Sequence, residues 1–303
     1  MHPRIKFALF HHGALGDFVV LFPLLKALAP HPVALVASSA RGRLAAGRFH
    51  HVRAYDSDRP HFVRLFGFDA LEAGVDHAAL RRDLGQPAWI ISFVGRPHDP
   101  WGRQMAAVLP EARLACVDLR PPDAWSGHVT EWHRHQLEEA GLHLPPLPPQ
   151  GRVAAPPPGP VLVHFGSGGR HKCWDVRRWI TLIAALRARG YVVEVIYGEA
   201  EQERMTPTEL ARWRGEGACF VETLDALEAR IARCGTFIGH DAGPTHLASQ
   251  LGVRTIALFG PTSPRCWAPI GPNVQVLAPP RPAEMTWLSV DDVVRAVYCD
   301  DRV

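Results

Sequence analysis

Three short stretches carry the residue types that could handle an anionic ligand and a reacting hydroxyl. The first is Gly13-Ala14-Leu15-Gly16-Asp17. Its glycines let the backbone come close to a ligand, and a helix opening there would favour negative charge. Asp17 supports two readings. It could cap that helix, as carboxylates do at N-termini. It could instead stand at the carboxyl end of a strand as a general base. The spacing is not G-x-G-x-x-G, so it gives little support to a dinucleotide site.

The second stretch is His164-Phe165-Gly166-Ser167-Gly168-Gly169-Arg170-His171-Lys172. Small residues, a hydroxyl and two cations suit a phosphate or diphosphate, or the loop is an ordinary turn with solvated cations. Lys172 is one of three lysines among 33 basic residues, which makes it conspicuous. The third stretch is His240-Asp241-Ala242-Gly243-Pro244-Thr245-His246. A helix start here would again turn free N–H groups toward an anion. Asp241 is a poor neighbour for phosphate, so structure or sugar hydroxyls suit it better. A single His246 reads first as a packed residue.

Other groups have plainer explanations. Asp56-Ser57-Asp58 is a literal D-x-D that could hold a divalent cation beside a diphosphate, but it sits among arginines in what reads as a loop. His128, His133 and His135 match no zinc spacing, and no cysteine lies close in sequence. Arg41, Arg43, Arg48, Arg53, Arg59 and Arg64 face only Asp56 and Asp58 as acids in their stretch. They form either a solvated face or a surface for phosphate and carboxylate groups.

These stretches need a scaffold that presents loops at strand ends. Ile5–Phe10 reads as a buried strand, Asp17–Leu28 as a helix stopped by Pro30 and Pro32, and Val33–Ala37 as the next strand. Trp89–Val94 and Leu114–Asp118 read as further strands. A proline-rich run from Pro145 to Pro160 tolerates neither helix nor central strand and is the linker candidate. A second series follows: strand Val161–His164, helix Trp174–Arg189, strand Tyr191–Tyr197, strand Thr236–Ile238, helix Pro244–Leu251 and strand Thr255–Phe259. A closing helix, Ser289–Tyr298, is capped by Ser289 and Asp292. The plan is α/β, with domains at 1–150 and 151–303 and a ligand cleft between two similar halves. The closing helix is a candidate to pack back on the first half.

Composition agrees with a folded protein. Of 303 residues, 47% are hydrophobic and 21% charged, which excludes a mainly disordered chain. The formal charge of +3 is too small to argue for nucleic acid, and no aromatic residues interleave the arginines for base stacking. The six cysteines form no C-x-x-C, which points to free thiols in a reducing compartment. No apolar run has the length of a membrane span. A cytoplasmic location follows as the expectation, with peripheral contact at the inner face of the cytoplasmic membrane left open.

Taken in order, these motifs resemble glycosyltransferase family 9, the heptosyltransferases of lipopolysaccharide core assembly. The resemblance rests on Gly13–Asp17 with Pro23 downstream, His164–Gly168 with Lys172-Cys173-Trp174, Asp241–Ala248, and Phe259-Gly260-Pro261-Thr262. It runs nearly end to end. It implies a GT-B fold, in which two Rossmann-like domains face each other across a cleft. The first would take the acceptor and the second a nucleotide sugar. The donor would be ADP-heptose, a substrate rather than a cofactor, and the reaction would invert the anomeric carbon without a metal.

Asp17 falls where the family has its general base. Ser167, Gly168 and Lys172 fall in the donor loop, and Asp241, Ala242, Gly243 and His246 in the second one. Ala242 stands where the family often has threonine, so one hydroxyl donor is missing. Glu201, with Glu199 as its alternative, matches the ribose-binding acid. Gly13, Arg41, Arg43, Arg64 and Arg96 lie in the acceptor half, and arginine there implies an acidic glycolipid acceptor. The alternatives are a relative using another nucleotide sugar or a small-molecule or protein acceptor, and a nucleotide-binding protein that keeps only the fold. A Rossmann oxidoreductase is more distant still.

Overall fold

The computed structural model describes residues 5–66, 74–146 and 158–298. The chain divides into two compact units, Met1–Pro148 and Pro149–Val303. Most of the proline-rich linker candidate, residues 147–157, lies outside the described residues, as does Cys299.

The first unit runs β1 (Phe7–Phe10), α1 (Leu15–Val19), α2 (Phe22–Leu28), β2 (Val33–Ala37), α3 (Ser39–Arg48), β3 (Val52–Asp56), α4 (Pro60–Val63), α5 (His77–Leu84), β4 (Trp89–Ser92), α6 (Pro100–Val108), β5 (Arg113–Cys116) and α7 (Val129–Glu139). Its five strands are parallel in the order β3-β2-β1-β4-β5. The three central strands are buried along their whole length, which is why they read as unbroken apolar runs. Beneath the sheet, Phe10 meets Trp101 edge-on at 5.1 Å and Phe62 at 6.1 Å.

The expected single helix over Asp17–Leu28 is two helices. Pro23 sits in the first turn of α2. It has no N–H for the Val19 carbonyl and its ring crowds that turn, so α1 ends and the chain restarts. Asp56, expected in a loop, ends the edge strand β3.

The second unit runs β6 (Val161–His164), α8 (Val176–Arg187), β7 (Val193–Tyr197), α9 (Glu199–Arg204), α10 (Pro207–Gly215), β8 (Ala218–Phe220), α11 (Leu224–Ile231), β9 (Thr236–His240), α12 (Gly243–Gln250), β10 (Arg254–Leu258), α13 (Pro264–Trp267), β11 (Val274–Leu277) and α14 (Val290–Tyr298). Six parallel strands lie in the order β11-β10-β9-β6-β7-β8. The core gathers Trp179, Leu182, Ile183 and Leu186 of α8 against Val293, Val294 and Val297 of α14. The apolar positions of α14 recur at Val290, Val293, Val294 and Val297, one face of a helix. The closing helix therefore packs on α8 of its own unit. Ser289 and Asp292 bond reciprocally as its cap.

Both sheets have the Rossmann strand order. In each, the chain reverses direction of growth beside the first strand: at β1 and β4 in one, at β6 and β9 in the other. Loops leaving the carboxyl ends of such neighbours splay apart and leave a crevice for ligand.

Candidate functional site

The motifs occupy those crevices. In the first unit the Gly13–Asp17 loop leaves β1. A Cβ on Gly13 would lie 2.8 Å from the His11 ring and 2.9 Å from Asp17 Cβ, so only glycine allows this tight approach. Asp17 is the third residue of α1, and Ala14 caps that helix without a side-chain bond. Among the described residues the Asp17 carboxylate accepts no side-chain hydrogen bond and has no ion pair within 4 Å. The capping reading thus finds no bond to support it, and the charged neighbour that acts on Asp17 is Arg41 of α3.

Beneath the loop lies a feature the sequence did not announce. His11 is fully buried between Phe18 and Phe93. Burial, then the nearby Arg41 charge, pushes its pKa down to about 3, so it is neutral. Its Nδ1 accepts from the Gly13 N–H at 3.3 Å. Beside the loop opens a cavity of about 560 Å³, lined among others by His12, Gly13, Asp58, Val63, Phe66 and Phe93.

The arginine cluster disperses. Arg48 bonds the Leu44 carbonyl and lies over Phe22, Arg53 lies over Tyr55, and Arg59 pairs with buried Asp83 at 2.7 Å. These three serve their own unit. Arg41 is half-buried at the Asp17 loop, while Arg43 and Arg64 are exposed. Arg96 pairs with Asp118 on the surface.

Asp56 accepts from the Asp58 N–H at 3.1 Å, so the D-x-D turns one carboxylate onto its own backbone. The three histidines do not converge: His128 caps α7, His133 bonds the Leu119 carbonyl, and His135 lies against Trp125. Among the described residues no group of three or more His, Cys, Asp or Glu gathers as metal ligands would.

In the second unit the loops after β6 and β9 are tied together. Lys172 Nζ meets Asp241 Oδ2 at 2.8 Å, and His246 Nε2 lies 3.4 Å from Asp241 Oδ1. Ser167 Oγ donates to the Asp241 carbonyl at 3.1 Å. Burial alone would raise the Asp241 pKa. The His246 hydrogen bond and the Lys172 charge outweigh it and hold the carboxyl down at about 2. His240 beneath is fully buried, and burial pushes its pKa to about 4. It accepts from the Trp174 N–H at 2.8 Å through Nε2, so Nδ1–H donates to the Gly166 carbonyl at 3.2 Å. That neutral ring fixes the shape of the loop.

Glu201 rather than Glu199 joins this site. Glu201 is buried, Glu199 exposed. The Glu201 carboxylate accepts from the Gly198 N–H at 3.0 Å and lies 3.5 Å from His164. Burial works against its charge, but the His164 bond leads the groups that hold its pKa below the ordinary range. A Cβ on Gly166 would run into this carboxylate, which explains that glycine. Gly168 faces open space, and its carbonyl accepts from Arg204 at 3.0 Å. Ala242 caps α12 without any side-chain bond, as loss of a hydroxyl dictates, and Gly243 is the first helical residue. A cavity of about 300 Å³ runs past Ser167, Glu201, Arg204, Trp174 and Trp213. Sequence reasoning missed Arg204. Its place three residues after Glu201 on one helix face was the available signal.

The chain belongs to glycosyltransferase family 9 (heptosyltransferase), whose model matches residues 105–287. It is 30% identical over 112 residues to lipopolysaccharide heptosyltransferase 3 of Escherichia coli, covering 34% of this chain and 32% of that protein. It is 30% identical over 193 residues to lipopolysaccharide heptosyltransferase 1 of Pseudomonas aeruginosa, covering 60% and 53%. The match thus spans about a third to a half of these relatives' length. Among solved structures, E. coli heptosyltransferase WaaC with ADP superposes with a TM-score of 0.68 at 15% identity, over 97% of this chain and 99% of that one. The family 9 glycosyltransferase from Veillonella parvula gives 0.71 at 16%, over 97% and 96%. The fold is GT-B, two Rossmann-like α/β domains, as the motif order implied.

Proposed function

We propose that this protein transfers a heptose, or a related sugar, from a nucleotide donor to a hydroxyl of an acidic glycolipid of the lipopolysaccharide inner-core type, with inversion. ADP-heptose is the donor we favour, and the enzyme would work at the inner face of the cytoplasmic membrane by peripheral contact. Family membership and the relatives' printed activities support this reading. The observation that carries it is the contrast between two carboxylates, one at the strand-order reversal of each sheet: Asp17 without a side-chain bond among the described residues, Asp241 held by Lys172 and His246.

A sugar hydroxyl is a poor nucleophile at neutral pH, and Asp17 is the group that would take its proton as it attacks the anomeric carbon. The bond to the diphosphate breaks as the new glycosidic bond forms, and negative charge gathers on the leaving group. Lys172 and the Gly243 N–H, and Ser167 where its hydroxyl turns from the Asp241 carbonyl, would meet that charge, and Glu201 would accept from the ribose hydroxyls. Lys172 also keeps Asp241 from repelling the diphosphate. Arg41, Arg43 and Arg64, and Arg96 where Asp118 yields it, would meet acidic groups of the acceptor.

No divalent metal is needed in this scheme, because a lysine and helix-terminal N–H groups take its place. Within the D-x-D, one Asp56 oxygen accepts from the Asp58 N–H. Calorimetry with ADP-, UDP- and GDP-sugars, followed by nucleotide release with acceptor, tests the reading. ADP-heptose should bind most tightly and release ADP in full activity with EDTA present. Preference for another nucleotide, or activity restored only by Mg²⁺ or Mn²⁺, would overturn those parts. Binding without turnover would favour a nucleotide-binding protein.

A further inference from the structure

His240 takes no direct part in the proposed chemistry. It is fully buried at the end of β9 and has no surface for a ligand to touch. A buried imidazole is costly unless both nitrogens are engaged, and here both are. Nε2 accepts from the Trp174 N–H at 2.8 Å, and Nδ1–H donates to the Gly166 carbonyl at 3.2 Å. Trp179 meets the ring edge-on at 5.2 Å. The two bonded residues flank residues 167–173, the segment that carries Ser167 and Lys172. Gly168 and Gly169 leave that segment free to take other shapes.

Asp241 follows His240 in the chain and holds the same segment from within. Its carbonyl accepts from Ser167 Oγ, and its carboxylate pairs with Lys172. Two consecutive residues at one strand end thus grip the segment at four points, two at its ends and two inside it. The inner grips compete with a ligand. Ser167 would turn from Asp241 to meet a diphosphate, and Lys172 would be shared between the two. The outer grips do not compete, because they lie on buried backbone atoms. They are the ones that can keep the segment in shape while the inner ones loosen, and donors held in place beforehand bind charge better than donors that must be gathered. The task needs one donor and one acceptor on a rigid ring, which neutral histidine supplies and an aliphatic side chain does not.

We propose that His240 is a positioning residue for the donor diphosphate, clamping the backbone at both ends of residues 167–173 so that Ser167 and Lys172 meet the ligand already in place. This rests on the donor reading of that loop. The clamp acts through Ser167 and Lys172 and touches no substrate itself.

Calorimetry with ADP, and with adenosine as the ligand that lacks the phosphates, reads the clamp in the full chain. His240→Leu keeps apolar bulk against Trp179 and neither bond. It should raise the ADP Kd by about tenfold or more and move the adenosine Kd by less than about twofold. His240→Asn can still donate to the Gly166 carbonyl, and His240→Gln can still accept from the Trp174 N–H. Each should weaken ADP by roughly three- to fivefold. His240→Asn frees the end nearer Lys172, so on a Lys172→Ala background it should add less than about twofold.

A merely structural role predicts equal losses for ADP and adenosine and full addition in the double variant. Either result in protein whose circular dichroism matches wild type would overturn the proposal, as would unchanged ADP binding in all three single variants. If His240→Leu does not fold, the other two and the double variant decide; misfolding of every His240 variant would also overturn it. ADP bound by wild type no more tightly than adenosine would overturn it together with the donor reading. Failure of the transferase reading alone looks different: ADP binds, the clamp variants weaken it, and no sugar reaches any acceptor.

Discussion

Asp17 and Asp241 stand at equivalent kinds of place, each a few residues past the carboxyl end of a central strand of a Rossmann sheet, yet their surroundings are opposite. Asp241 is buried, and Lys172 and His246 hold its charge. Asp17 is half-exposed and accepts no side-chain bond among the described residues. A carboxylate with both oxygens engaged is an anchor: it organises loops and fixes a cation. One left unengaged can take a proton. On the proposed function the same side chain would have two tasks, set by what surrounds it, and variants at the two positions should fail in different ways.

The largest expected effect is on turnover at Asp17. Asp17→Asn should lower kcat by roughly 10²–10⁴-fold, with donor affinity by calorimetry and melting temperature close to wild type. Equal turnover would remove Asp17 from the chemistry. Lys172→Ala comes next. It strips a charge from the proposed donor site and a partner from Asp241, and should cost about 2–3 kcal/mol in donor binding and transition-state stabilisation together. That is roughly 30- to 150-fold in kcat/KM for the donor. Unchanged donor kinetics would sever Lys172 from the donor.

Asp241→Asn should show itself in stability. Because the folded carboxyl is held at about 2 against an ordinary 3.8, its contribution is complete above pH 4 and is lost as pH falls toward 2. The contribution is on the order of 2 kcal/mol. The gap in melting temperature between wild type and Asp241→Asn should be steady above pH 4 and narrow below it. A gap independent of pH would mean that the ion pair is not what stabilises the loop. The smallest effect belongs to the exposed arginines. Arg43→Ala with Arg64→Ala should raise acceptor KM a few-fold at low salt and flatten its salt dependence, leaving donor KM alone. Unchanged acceptor KM would mark them as solvated surface.

The sequence reported the interior of both sheets well and their margins poorly. Central strands such as Phe7–Phe10 and Val161–His164 are buried on both faces, so composition alone marks them. The strands it did not show, Val52–Asp56, Ala218–Phe220 and Val274–Leu277, are all at sheet edges. There one side is open to solvent, arginine, aspartate and glutamine enter, and the apolar run disappears. The three site motifs were visible because glycine and cation spacing is local.

Their connections were not visible. Lys172 and Asp241 are 69 residues apart, and they meet only because β6 pairs with β9. The choice between Glu199 and Glu201 likewise turned on which residue of α9 points under the Gly166 loop. The arginine cluster looked uniform in sequence and proved mixed, because Tyr55, Phe22 and Asp83 claim three of its members.

The central claim is a single displacement at the anomeric carbon, with Asp17 taking the acceptor's proton. The most direct test is the anomeric configuration of the sugar after transfer, read by NMR of the purified product against a donor of known configuration. The account predicts inversion, complete in wild type and reduced in rate but not in outcome in Asp17→Asn. Retention of configuration, or ADP release with no sugar joined to the acceptor, would contradict it.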